Sequence, residues 1–218
     1  MNLVIIFIVL CSYRVTKRVL PQSETINATD ESEEIKVNVT YEDVLGAGVL
    51  DEVREAMMKM PPEVVKAFVK ENWKIAVVSE IDLSGTQFEG DDVPLTIGLT
   101  DYASKLIQVA PVKDSVDDFI MIKTLHELCH YADHYYNNAA DSSEWKDLYA
   151  KYKTVYVEYE YEGITGTDRN RFDVAYAVSD RYEFFACSMK DYLKNPEYLK
   201  TKYPETFDFF SRLLLTEK

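Results

Sequence analysis

Residues 126–130 read His-Glu-Leu-Cys-His. On a helix, positions four apart face the same way with Cβ atoms roughly 5–6 Å apart. His126 and His130 can therefore offer two imidazoles to one metal ion. Zn²⁺ accepts such a pair, needs a third protein ligand, and keeps a fourth position for water when the site is catalytic. Glu127 then stands beside the metal as a candidate general base for metal-assisted hydrolysis. A plain structural explanation competes: Lys123 and Glu127 as an i,i+4 ion pair on a solvated face, with both histidines buried and hydrogen-bonded.

The third ligand is harder to find. His134, the remaining histidine, lies about 12 Å along the helix axis from His126 at roughly 1.5 Å per residue. That is too far to share an ion held by bonds of about 2.0–2.1 Å, so His134 is expected at the surface or behind the ligands. Asp133 is three residues from His130 and seven from His126, on their face. It would either orient an imidazole or serve as an ordinary helix-surface carboxylate. With 38 acidic residues in the chain, composition does not choose among carboxylates.

The elements that must position these groups show in the apolar spacing. Ser115 and Asp118 have the spacing of a capping box opening the histidine helix. Along that helix Met121, Leu125, Leu128 and Ala132 form a core-facing stripe. Phe119, Ile122, His126, His130 and Asp133 lie on the neighbouring face, so the histidines border the core. Upstream, a helix is expected from about Leu50 to Met58. A second begins at Pro62, where proline suits the first turn. Lys74–Ile81 reads as a buried strand, 84–94 as a candidate binding loop, and Leu95–Leu99 and Lys105–Ala110 as two further strands. Downstream, helices are expected over Asp141–Val157, over Asp180–Leu193 and from Pro204, with no clear pattern between 158 and 175.

At 218 residues with 16 Tyr and 10 Phe, the chain suits one sizeable domain. The predicted class is α+β, a zincin-like domain over 41–218 with a small mixed sheet on the histidine helix and a mainly helical C-terminal half. The net charge of −14 argues against a nucleic-acid partner, which requires a basic footprint, and fits a soluble, monomeric protein. Leu3–Leu10 is an apolar run suited to a signal peptide and too short to span a bilayer. Residues 1–20 are thus expected to direct secretion, with no other membrane association. No basic residue precedes the run, and a mis-called start codon or an uncleaved anchor are the alternatives. Residues 21–40, polar and acidic without periodicity, read as a flexible linker.

The sequence His126-Glu-Leu-Cys-His-Tyr-Ala-Asp-His134 is followed by Tyr176, by Glu183-Phe184-Phe185-Ala186, and by Pro204-Glu-Thr-Phe207. Together these resemble the catalytic domain of anthrax toxin lethal factor and the secreted Pro-Pro endopeptidases of that superfamily. The resemblance spans roughly residues 70 to 215. It implies a zinc endopeptidase acting on a protein or peptide, with Glu183 as third ligand and Tyr176 as hydroxyl donor near the scissile carbonyl. Without it, Glu183 would be the capping-box partner of Asp180, and Tyr176 one more half-buried tyrosine. A non-catalytic accessory domain that keeps the metal is the alternative function. In zincin-type enzymes an extended substrate commonly pairs with an edge strand beside the motif helix, and Lys105–Ala110 is the expected edge. Cys187 departs from the family, which usually has an acidic residue there. Helix spacing points Cys129 and Cys187 towards the same region, either as two buried thiols or as a disulfide.

Overall fold

A computed structural model describes residues 22–28, 35–81, 83, 97–111, 118–162 and 176–215. Its strands are β1 (Gln22–Asn27), β2 (Lys36–Tyr41), β3 (Lys74–Val77), β4 (Gly98–Asp101) and β5 (Leu106–Val109). The helices are α1 (Gly48–Lys59), α2 (Pro62–Lys70), α3 (Phe119–Tyr135), α4 (Ser143–Tyr152), α5 (Arg181–Lys194), α6 (Pro196–Lys202) and α7 (Pro204–Leu213). The class is α+β, as expected. The sheet order is β1-β2-β3-β5-β4. The β2–β3 and β3–β5 pairs are parallel, and the β1–β2 and β4–β5 pairs antiparallel.

Two expectations are corrected here. The stretch read as a flexible linker contains β1 and β2. Val37, Val39 and Tyr41 are buried while Lys36 and Asn38 face solvent, and this period-two alternation is what a half-buried strand needs. The acidic residues upstream masked it. Second, the strand expected at the edge, β5, lies inside the sheet between β3 and β4. Among the described strands, the edge beside the histidine helix is β4. A four-residue turn joins the two strands, and Asp101 builds it by accepting from the Ala103 amide (3.0 Å) and the Ser104 hydroxyl (2.6 Å). Lys105 closes this turn at φ 54°.

Helix α3 packs against α1, α5, β4 and β5. Being covered on most sides, it buries Met121, Leu125, Leu128 and Ala132 as expected, and also Glu127 and Asp133. The expected capping box has only one of its two members among the described residues. Asp118 sits at the N-cap in a left-handed conformation, with no hydrogen bond from its side chain to the helix, and Ser115 lies outside the described residues. Glu52 of α1 instead accepts the Met121 amide at 3.1 Å, placing a carboxylate where the helix dipole favours one.

The C-terminal helices close around Trp145. Its ring stacks on Phe184 (4.9 Å) and meets Phe185, Phe209 and Phe210. Its Nε1 donates to the Arg181 carbonyl at 2.9 Å, fixing α4 to the start of α5. The segment from residue 158, which shows no clear pattern in the sequence, is anchored by charge at its start. Lys190 of α5, 1% exposed, pairs with Glu158 and with Glu160 (2.6 Å), while Asp191 accepts the Tyr156 hydroxyl at 2.8 Å. Residues 163–175, the loop at 84–94 and the N-terminal apolar run lie outside the described residues. Among the described residues no helix is long and apolar enough to cross a membrane.

Candidate metal centre

Helix geometry and one long-range packing contact assemble the centre. His126 and His130 project from α3 with their Nε2 atoms 3.2 Å apart. Helix α5 packs along α3 and brings Glu183 from its first turn to meet them. Glu183 Oε2 lies 3.1 Å from His126 Nε2, and Oε1 lies 3.5 Å from His130 Nε2. Among the described residues these three form the one cluster with spacing suited to a metal. A tetrahedral ion with bonds of about 2.0–2.2 Å spaces its ligand atoms about 3.3–3.6 Å apart, close to the distances found. Glu183 Oε2 is buried without a hydrogen-bond partner. A buried carboxylate oxygen left so is costly unless a cation meets it, and the donor set of two imidazoles and a carboxylate suits Zn²⁺.

Only half of the capping box expected between Asp180 and Glu183 forms. Asp180 caps α5 by accepting the Tyr182 and Glu183 amides at 2.7 and 2.9 Å, so the Glu183 backbone belongs to the cap while its carboxylate turns to the histidines. Burial pushes the Glu183 carboxyl up, but the two imidazoles outweigh burial and hold it far below the usual carboxylate range. Burial pushes His130 down, yet Glu183, with Glu127 and Asp133 behind it, raises it to about 9.

The other predicted residues separate clearly. Glu127 is buried and does not pair with Lys123, whose ammonium lies over the Phe119 ring at 5.8 Å. Its Oε2 accepts from the Thr100 hydroxyl at 2.7 Å. Tyr176 sits in a 3-10 turn with its ring 6.2 Å from that of His126. The residue is 47% exposed, but its hydroxyl faces inward. Burial and the charges of Glu183 and Glu127 raise its pKa far above the ordinary tyrosine value, so it stays a protonated donor. His134 is exposed, edge-on to Tyr102 at 5.4 Å, and outside the cluster. Asp133 is buried, unlike a surface carboxylate, and accepts the Ala140 amide at 2.7 Å. Among the described residues no hydrogen bond joins it to a histidine, so it ties down the turn after α3.

Cys129 and Cys187 are both buried free thiols, which excludes the disulfide in this structure. Cys187 has its own place. Its Sγ lies 3.6 Å from His126 Nδ1, and burial pushes the thiol pKa well up. The neutral sulfur can accept from Nδ1–H, the tautomer that frees Nε2 for a metal. Sequence reasoning missed Thr100, Gly98 and the Tyr102 hydroxyl, which donates to the His130 carbonyl at 2.9 Å. All three lie on or just after β4, and no local pattern links that strand to α3.

No protein-family model matches the chain, and no curated protein matches it. Among solved structures, the fold is similar to that of the Pro-Pro endopeptidase PPEP-2 from Paenibacillus alvei. The TM-score is 0.55 and the identity 19%, over 80% of this chain and 96% of that one. At this identity the likeness establishes a shared fold.

Proposed function

We propose that the chain is a secreted, monomeric zinc endopeptidase that hydrolyses peptide bonds in a protein or peptide. The observation that carries this reading is the convergence of His126, His130 and Glu183, with Glu127 buried beside them and Tyr176 facing in. His126, His130 and Glu183 would hold the ion. A zinc ion so held supplies Lewis acidity that makes water nucleophilic near neutral pH. Glu127 takes the proton of the attacking water and passes it to the leaving amine. The Tyr176 hydroxyl donates to the oxyanion that develops on the carbonyl. The outer edge of β4 pairs with no other described strand, so an extended peptide can add there by main-chain hydrogen bonds. The fold shared with a Pro-Pro endopeptidase is compatible with a peptidase, and the presence of both Glu127 and Tyr176 favours that over the accessory-domain alternative, which needs neither.

The test measures zinc content and cleavage of a peptide library, proline-flanked and proline-free, by wild type, Glu127→Ala and Glu183→Ala. Glu127→Ala is expected to keep zinc and lose cleavage, and Glu183→Ala to lose both. Full zinc retention in Glu183→Ala refutes the ligand assignment. The apolar run at residues 3–10 supports export, which recovery of the protein from culture medium would bear out and exclusive retention in cells would refute.

A further inference from the structure

Strand β4 does more than border the metal centre. Gly98 and Thr100 are two apart on it and so share a face. Both meet Glu127. The Thr100 hydroxyl lies 2.7 Å from Glu127 Oε2 and 3.1 Å from the Glu127 carbonyl oxygen. A Cβ on residue 98 would stand 2.2 Å from Glu127 Oε1 and 2.9 Å from Cδ. No real side chain tolerates that approach, so anything larger than glycine would displace the carboxylate. Two independent features of one strand therefore converge on one buried carboxyl group.

We propose that Thr100 and Gly98 are positioning residues for Glu127: the Thr100 hydroxyl fixes one carboxylate oxygen, and the missing Cβ of Gly98 lets the other settle over the strand. The inference rests on the endopeptidase reading above, in which Glu127 is the general base.

A base works only within hydrogen-bond reach of its proton, roughly 2.6–3.2 Å between heavy atoms. A glutamate has three rotatable side-chain bonds, and its helix neighbour Lys123 is engaged with Phe119. The strand supplies the constraint the helix does not. A hydroxyl has one proton, which serves the shorter contact to the carboxylate. When the carboxyl itself carries a proton, the hydroxyl can turn to the carbonyl and accept from Oε2, so no heavy atom need move. Because β4 is also the outermost described strand, the strand that would receive the peptide also sets the position of the base.

The experiment uses the full chain loaded with zinc and compares wild type, Thr100→Val, Thr100→Ser and Gly98→Ala on a peptide the wild type cleaves. Thr100→Val is expected to keep stoichiometric zinc and a KM near wild type. Its kcat should fall by on the order of 10–10² fold, the scale of a lost bond to a charged group or a misplaced base. Thr100→Ser should restore most of that loss. Gly98→Ala should keep zinc and lose at least as much kcat. A zinc-loaded Thr100→Val with wild-type kcat overturns the inference, as does a Thr100→Ser no better than Val. If Thr100→Val does not fold, a folded Gly98→Ala with wild-type kcat overturns it instead. A wild type that holds zinc yet cleaves no peptide removes the proposed function, and this inference with it. That outcome is distinct from a cleaving wild type whose variants are unimpaired.

Discussion

Replacing Lys190 by Met should destabilise the protein more than any single change in the metal centre. Lys190 lies in the second half of α5, 1% exposed, with Glu158 and Glu160 on its ammonium. Burial alone would lower its pKa, but the two carboxylates raise it well above the lysine value, so the group is charged. Lys194 also holds Glu160, at 3.0 Å, whereas Lys190 is the cation facing Glu158, itself 5% exposed. Methionine fills the stem of Lys190 but leaves Glu158 buried without a counter-charge. Removing one partner of a buried pair costs about 3–5 kcal/mol. At about 2–4 °C per kcal/mol for a domain of this size, Tm should fall by about 6–20 °C. Calorimetry at neutral pH reads it directly. The triple variant Lys190→Met, Glu158→Gln, Glu160→Gln should recover much of the loss, because removing a whole buried ion set is often near neutral. A drop of less than about 3 °C in the single variant, or a triple variant less stable than the single, would refute the reasoning.

Two further outcomes follow from charge. Burial raises the Glu160 carboxyl, but Lys190 and Lys194 outweigh burial and hold it at about 2 against an ordinary 4.5. A folded-state pKa below the unfolded value gives stability that is present above pH 4.5 and is lost as pH falls towards 2, in all about 3 kcal/mol. Urea unfolding between pH 2 and 5 should therefore show a shallower loss in Glu160→Gln than in wild type, and parallel profiles would exclude the effect. Asp191, raised by burial, acts in the opposite sense, so the comparison between variants isolates Glu160. At the metal centre, zinc must displace the proton that His130 holds up to about 9. Apparent zinc affinity, read by competition with a chromophoric chelator, should rise about tenfold per pH unit from neutrality to pH 9 and then level off. A flat profile from pH 7 to 9 would mean that Glu183 does not hold a proton on His130 above neutrality.

The sequence disclosed what depends on neighbours along the chain. Four-residue spacing puts His126 and His130 on one face whatever surrounds them, and the rise per residue alone removes His134. Asp180 caps α5 as its position before the helix predicts. The contacts across the chain were hidden. Glu183 is 53 residues after His130, and only the packing of α5 on α3 joins them, so spacing could not choose it and a family resemblance had to. Strand order is hidden for the same reason: β4 and β5 form a local hairpin, but the parallel pairing of β5 with β3 places the hairpin with β4 outermost. That single long-range choice makes β4, not β5, the outermost described strand. It also carries Gly98, inside the strand expected over Leu95–Leu99, and Thr100, just beyond that strand's expected end, under Glu127, where they become the floor of the candidate base. Even the one departure from the resembled family takes its meaning from packing. Cys187 stands where an acid was expected, and its neutral sulfur faces His126 Nδ1 at 3.6 Å. A thiol can fix the imidazole tautomer as a carboxylate would, but without adding a negative charge behind the ligand.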